Sequence, residues 1–157
     1  MNAVQIIERD HKKMRSMFER FKKAKSPDKK KSIMDEILTD LKGHSDFEEE
    51  LVYPPARIIV GEEMIDESEE EHHLADTLMA ELLEMDGADE KFEAKATVLE
   101  EMLLHHMEEE EKEMLPKLAK VQKDTFGGAD LESERKAYHA KAQEMIQGRM
   151  PARGNRR

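Results

Sequence analysis

Cysteine and tryptophan are absent from this 157-residue chain, and aromatic residues make up only 4% of it. The first absence excludes disulfides, thiolate zinc sites and thiol nucleophiles, and it agrees with a reducing, cytoplasmic location. The scarcity of aromatics argues against a sheet, whose pleated faces favour β-branched and aromatic side chains. Long apolar runs are missing too. No segment approaches the roughly 18 residues that a membrane span needs. Met1 to Asp10 lacks the basic start and apolar stretch of a signal peptide, so a cytoplasmic protein with no membrane partner is expected. Positive charge is in short supply, with 26 Lys and Arg against 37 Asp and Glu and a net charge of -11. That argues against a nucleic-acid partner, which requires a positive footprint. A local exception is Arg149, Arg153, Arg156 and Arg157, interspersed with Pro151 and Gly154, which reads as a solvated, disordered tail.

The chain is instead rich in Glu, Lys, Leu, Met and Ala, all good helix formers, and the expected fold class is all-α. Periodicity and punctuation delimit five helical segments. The first, about Asn2 to Lys25, carries Val4, Ile7, His11, Met14, Phe18 and Phe21 at alternating steps of three and four. Ser26 and Pro27 suit the N-cap and first helical position of the second. That second segment stripes Ile33, Ile37, Leu41, His44 and Glu48, and should kink or stop near Pro54-Pro55. The third, roughly Glu62 to Glu84, aligns Ile65, His72, Ala75, Met79 and Leu82, and Asp86 to Asp89 form the turn after it. The fourth, about Glu90 to Lys123, aligns Leu99, Leu103, His106, Glu110 and Met114 before the Gly127-Gly128 break. A short fifth helix, about Asp130 to Gln147, should pack outside the others or against a partner. The expected plan is an up-down-up-down four-helix bundle over residues 1–125, an accessory helix over 126–148 and a basic tail over 149–157.

A conflict inside those stripes points to function. Each of the four long helices has a histidine in its apolar stripe: His11, His44, His72 and His106. On the second and fourth, Glu48 and Glu110 follow at i+4 and therefore point the same way as the histidine. An uncompensated core carboxylate costs several kcal/mol. Two glutamates and four histidines converging there need a shared partner, and a pair of metal ions supplies one. The second and fourth helices also repeat the spacing H-x3-E-x5-P, as His44, Glu48, Pro54 and as His106, Glu110, Pro116, in a chain with only 5 prolines. Within the doublets, His72 fits the apolar stripe better than His73, and the proline-anchored repeat selects His106 over His105. Asp76, at i+4 from His72, is a further candidate carboxylate, whereas Glu49, Glu50, Glu108, Glu109 and Glu111 read as a solvated acidic rim. The methionines read as core gap-fillers. A sulfur-free set of imidazoles and carboxylates suits iron, and accepts manganese or zinc.

The ordered set His11, His44-x3-Glu48, His72 and His106-x3-Glu110 resembles the hemerythrin-like HHE cation-binding family. The segments RDHKKMRSMFERF, HSDFEEELVYPPAR, EEHHLADTLMAEL and HHMEEEEKEMLPKL carry the resemblance, over about Glu8 to Leu118. It implies a four-helix bundle with two iron ions, an oxo- or hydroxo-bridged non-haem di-iron centre spanned by Glu48 and Glu110. By the same analogy His11 and His44 would serve one iron, and His72 and His106 the other. The oxygen-carrying members resemble a different arrangement, with HxxxH on the third helix and an Asp motif on the fourth, where this chain has Asp76 and Glu110. Fewer imidazoles leave more positions for small ligands, which favours sensing or redox chemistry over oxygen carriage. The expected function is binding or sensing of dioxygen, peroxide or nitric oxide. An enzyme that decomposes peroxide or handles nitric oxide with the same centre, and a metal-free helical interaction module, are the alternatives.

Overall fold

The computed structural model describes residues 1–121, 126 and 130–148. Every regular element among them is helical: α1 (Ala3–Lys23), α2 (Pro27–Phe47), α3 (Tyr53–Val60), α4 (Glu62–Glu84), α5 (Phe92–Glu109), α6 (Leu115–Ala119) and α7 (Leu131–Gln147). Single π-helical turns, Glu48–Val52 and Glu110–Met114, join α2 to α3 and α5 to α6 without a break. The four rods of the bundle are thus α1, α2 with α3, α4, and α5 with α6. The Gly127-Gly128 break, the end of the fourth segment near Lys123 and the Arg-rich tail lie outside the described residues.

Local chemistry explains the ends. Asn2 caps α1 in a reciprocal box with Gln5, each side chain accepting from the other's backbone N–H at 2.8 and 3.0 Å. Ser26 accepts from the Lys29 N–H, and Pro27 occupies the first turn of α2, where its missing donor costs nothing. Gly61 separates α3 from α4 with φ 98°, a left-handed conformation that side chains disfavour. In the turn after α4, a Cβ on Gly87 would lie 1.9 Å from the Pro27 carbonyl oxygen at the start of α2. Gly87→Ala should therefore lower stability by about 1–3 kcal/mol, seen as a lower urea midpoint at unchanged slope.

The prolines interrupt the regular helix, as expected, without ending the rod. It shifts its hydrogen-bond register and continues to Val60. In a regular helix the ring of Pro54 would press on the carbonyl of Glu50, and that of Pro116 on Lys112. Instead the Tyr53 N–H reaches five residues back to the Glu48 carbonyl, and the Leu115 N–H to that of Glu110. Each register shift begins at a glutamate of the repeat.

The apolar core has two parts. One, with Phe18, Ile37, Leu38, Met79, Leu82, Phe92 and Leu99, fills the end of the bundle nearer the α1–α2 and α4–α5 turns. The other, with Ile6, Ile7, Phe47, Val52, Ile65 and Leu118, fills the opposite end. Burial of each such side chain contributes roughly 1.5–3 kcal/mol. Along every rod the histidine of the stripe falls between the two clusters. The fifth long helix, α7, packs along α2 of the same chain. No helix among the described residues is long and apolar enough to cross a membrane.

Candidate metal centre

The belt between the two clusters contains His11, His44, Glu48, His72, His106 and Glu110, all buried. Their inward atoms nearly touch. His11 Nε2 lies 3.1 Å from Glu110 Oε1, and His44 Nε2 3.3 Å from Glu48 Oε1. His72 Nε2 lies 3.2 Å from Glu48 Oε1 and 3.1 Å from His106 Nε2, which is itself 3.3 Å from Glu110 Oε2. Two groups of potential ligand atoms result: His11, His44, Glu48 and Glu110 in one, and Glu48, His72 and His106 in the other. Glu48 belongs to both.

The outward nitrogens are as ordered as the inward ones. His11 Nδ1 meets Glu111 at 2.7 Å, His44 Nδ1 meets Asp10 at 2.9 Å, His72 Nδ1 meets Glu49 at 2.8 Å, and His106 Nδ1 meets Glu71 at 2.6 Å. An ionised carboxylate only accepts, so each Nδ1 carries a proton, and an imidazole that gives up its other proton to bind a metal turns the Nε2 lone pair inward. Carboxylate–imidazole pairs of this kind fix the ring orientation and raise the basicity of metal-binding histidines. The pattern is doubled. Asp10-His11 on α1 matches Glu71-His72 on α4, and His44, Glu48 and Glu49 match His106, Glu110 and Glu111.

Electrostatics in the metal-free chain follow from this packing. Burial pushes the His44 imidazole down, but Glu48 and Asp10 outweigh it and hold its pKa up at about 10. Burial likewise opposes protonation of His106, and Glu110, Glu48 and Glu71 override it. Burial raises the Glu48 carboxyl, while His44, His106 and His72 hold it well below the ordinary range. Asp10 behaves in the same way: burial raises it, and His44 and Arg135 pull it well below the usual carboxylate value. Protons on the imidazoles here neutralise carboxylates that a cation would otherwise neutralise.

The residues present fit a cation pair. Glu48 Oε2 and His44 Nε2 are buried without a hydrogen-bond partner. Unpartnered polar atoms inside a core are costly, and a carboxylate oxygen and an imidazole nitrogen that gives up its proton both ligate hard or borderline metals.

The doublets separate cleanly. His73 and His105 have side chains 47% and 66% exposed, whereas His72 and His106 are buried. Asp76 is buried but joins neither inward group, and His139 lies half-buried on α7 near Asp40. Two rim assignments need correction, because Glu49 and Glu111 are not merely solvated: they orient His72 and His11. Tyr53 escaped sequence reasoning altogether. Its hydroxyl donates to Glu110 Oε2 at 2.6 Å and lies 3.1, 3.2 and 3.3 Å from Glu48, His72 and His106. It reaches the site through the π turn that precedes it. The repeat offers a signal for it, since Tyr53 precedes Pro54 where Leu115 precedes Pro116.

The family model of the hemerythrin HHE cation binding domain matches residues 2–118, a span that contains every one of these inward-facing side chains. The chain belongs to the hemerythrin HHE cation-binding domain family. Within the family, it is 30% identical over 117 residues to an uncharacterized hemerythrin-like protein of Schizosaccharomyces pombe, covering 73% of this chain and 58% of that one. It is 26% identical over 111 residues to a DNA nickase of Nostoc sp., covering 71% of this chain and 32% of the nickase. This HHE chain therefore spans about a third and somewhat over half of the length of these two relatives. The crystal structure of a hemerythrin HHE cation binding domain-containing protein from Mycobacterium kansasii superposes with a TM-score of 0.75 at 18% identity, over 94% of this chain and 93% of that one. The shared fold extends beyond residue 118, and so takes in α7.

Proposed function

We propose that this HHE-domain chain is a non-haem di-iron protein that binds or senses dioxygen or reactive oxygen and nitrogen species in the cytoplasm. The observation that carries the reading is the convergence of four Nε2 atoms on Glu48 and Glu110, with every Nδ1 tied to a carboxylate. His11, His44, Glu48 and Glu110 would hold one iron, and Glu48, His72 and His106 the second, with Glu48 shared between them. When bound, such a pair supplies reversible one-electron chemistry and open positions for a small ligand. The chain's part is to neutralise, orient and keep the site dry. A cavity of about 10 Å³, room for one water-sized body, lies against all four histidines. Met14, Leu41, Leu103 and Met107 also line it, with Asp10 and Ser45, so its apolar wall and a carboxylate both disfavour an anion there. The larger groove, between α1, α2 and α7, reaches none of the six residues.

One observation favours the enzyme alternative, decomposition of peroxide. Tyr53 places a phenol in the site that burial, Glu110 and Glu48 push well above its ordinary pKa, so that it stays protonated and remains a hydrogen-bond donor toward a bound oxygen species. The nickase's action on DNA is not carried over, given the net charge of -11.

Metal analysis with an aerobic absorption spectrum tests the reading. Two irons per chain and near-ultraviolet absorption of an oxygen-bridged ferric pair are expected. Less than about one metal per chain after iron supplementation would favour the metal-free interaction module. Peroxide consumption that survives many turnovers, and drops in Tyr53→Phe, would establish the enzyme; stoichiometric binding without turnover would remove it.

A further inference from the structure

The doubled pattern is broken at one point outside the belt. Asp10, which orients His44, also accepts from Arg135 Nε at 2.7 Å. Arg135 lies on α7, 125 residues away in sequence and beyond the matched span of residues 2–118. It is only 4% exposed, and Asp10 is 7% exposed. Its Nη2 also donates to the Asp40 carbonyl at 3.4 Å. Glu71, the counterpart of Asp10, meets His106 at 2.6 Å and His105 at 3.9 Å, and no arginine among the described residues.

A buried arginine is costly unless paired, and α2 is shaped to admit this one. Gly43 sits inside α2, where glycine costs roughly 0.5–1 kcal/mol relative to alanine. A Cβ there would fall 2.9 Å from Arg135 Nη1 and 3.1 Å from the His139 Cα. The helix thus gives up intrinsic stability where α7 and its arginine come closest. Charge assistance then acts in series. The guanidinium fixes the Asp10 carboxylate, the carboxylate fixes the His44 ring through Nδ1, and the ring aims Nε2 at the group shared with His11, Glu48 and Glu110.

We propose that Arg135 is a positioning residue for one of the two metal positions, the one built on His11 and His44, so that α7 completes the metal centre rather than merely covering the bundle. The proposal rests on the di-iron reading above. It makes the two positions unequal: one is anchored through α7, and the other depends on the four rods alone.

The test uses the full chain, loaded anaerobically with ferrous iron, and follows iron release to an excess of a ferrous chelator. Wild type is compared with Arg135→Met, Arg135→Lys and Ile146→Ala, the last of which loosens α7 in the core cluster nearer the α1–α2 turn, some three turns from Arg135. In Arg135→Met, one of the two irons should leave about 10- to 100-fold faster while the other keeps its wild-type rate. Arg135→Lys, which retains the charge but not the planar fork, should recover part of the loss. Ile146→Ala should lower the thermal midpoint and leave both rates unchanged. Release of both irons at wild-type rates in Arg135→Met, or equal acceleration of both in Arg135→Met and Ile146→Ala alike, overturns the proposal while the di-iron reading stands. A wild-type chain that takes up no iron overturns both.

Discussion

Glu48→Ala should leave the chain unable to hold either iron, and Glu110→Ala should weaken both positions. Glu48 is common to both groups of inward atoms, while Glu110 belongs to the group with His11 and His44 and sets its other oxygen 3.3 Å from His106 Nε2. Second-sphere changes around metals typically cost about 10- to 100-fold in affinity, and removal of a shared ligand should exceed the upper figure. Stability should fall as well. In the metal-free chain Glu48 faces His44, His72 and His106, which it helps to keep protonated. Removing one partner of a buried charge pair costs about 3–5 kcal/mol, because it strands the others. Metal content by elemental analysis, with thermal unfolding of the chelated protein, measures both effects. Two irons retained in Glu48→Ala would overturn the shared-ligand assignment.

Raising the pH from 7 to 10 should destabilise the metal-free chain and much less the loaded one. His44 is held up at about 10, against an ordinary value of 6.5. Its contribution is complete below that ordinary value and disappears as pH rises through 10, since the folded state then binds more protons than the unfolded one. One such proton gives a slope of up to about 1.4 kcal/mol per pH unit. The lowered carboxyls of Glu48 and Glu110 act the other way, and in a different window. Their contribution is present above 4.5 and is lost as pH falls through their depressed values. Loading exchanges imidazole protons for cations, so iron uptake near pH 7 should release protons into a weakly buffered solution. Urea midpoints at both pH values, with and without chelator, give the slopes. A metal-free chain as stable at pH 10 as at pH 7 would refute the argument.

Much of this architecture was legible because it is local and periodic. The Ser26-Pro27 start of α2, the Asp86–Asp89 turn and the stripes of α1, α4 and α5 follow from spacing and from the chemistry of caps. The inward six were legible for the opposite reason, as ionisable residues where a stripe should be apolar. What escaped depends on hydrogen-bond choices or on long-range contact. A proline pair within a helical pattern reads as a kink or a stop, and nothing in the letters shows that the backbone will slip its register at Glu48. Tyr53 was lost with that turn. Glu49, Glu71 and Glu111 were hidden by abundance, because a chain with 37 acidic residues offers too many equivalent carboxylates to choose among. Asp10 and Arg135 meet across 125 residues, a separation that no stripe spans.

The paired π turns have a last consequence. Each occupies the same place in its half of the molecule, yet the first delivers a phenol to the interior and the second an isobutyl group, at Leu115. A chain that reads nearly alike twice thus sets a hydroxyl beside His72 and His106, while its matching leucine packs into the apolar cluster with Ile6, Ile7 and Leu118. Among the described residues, one histidine pair of the belt has a phenol within hydrogen-bond reach and the other does not, so the two halves are chemically distinct despite their shared spacing.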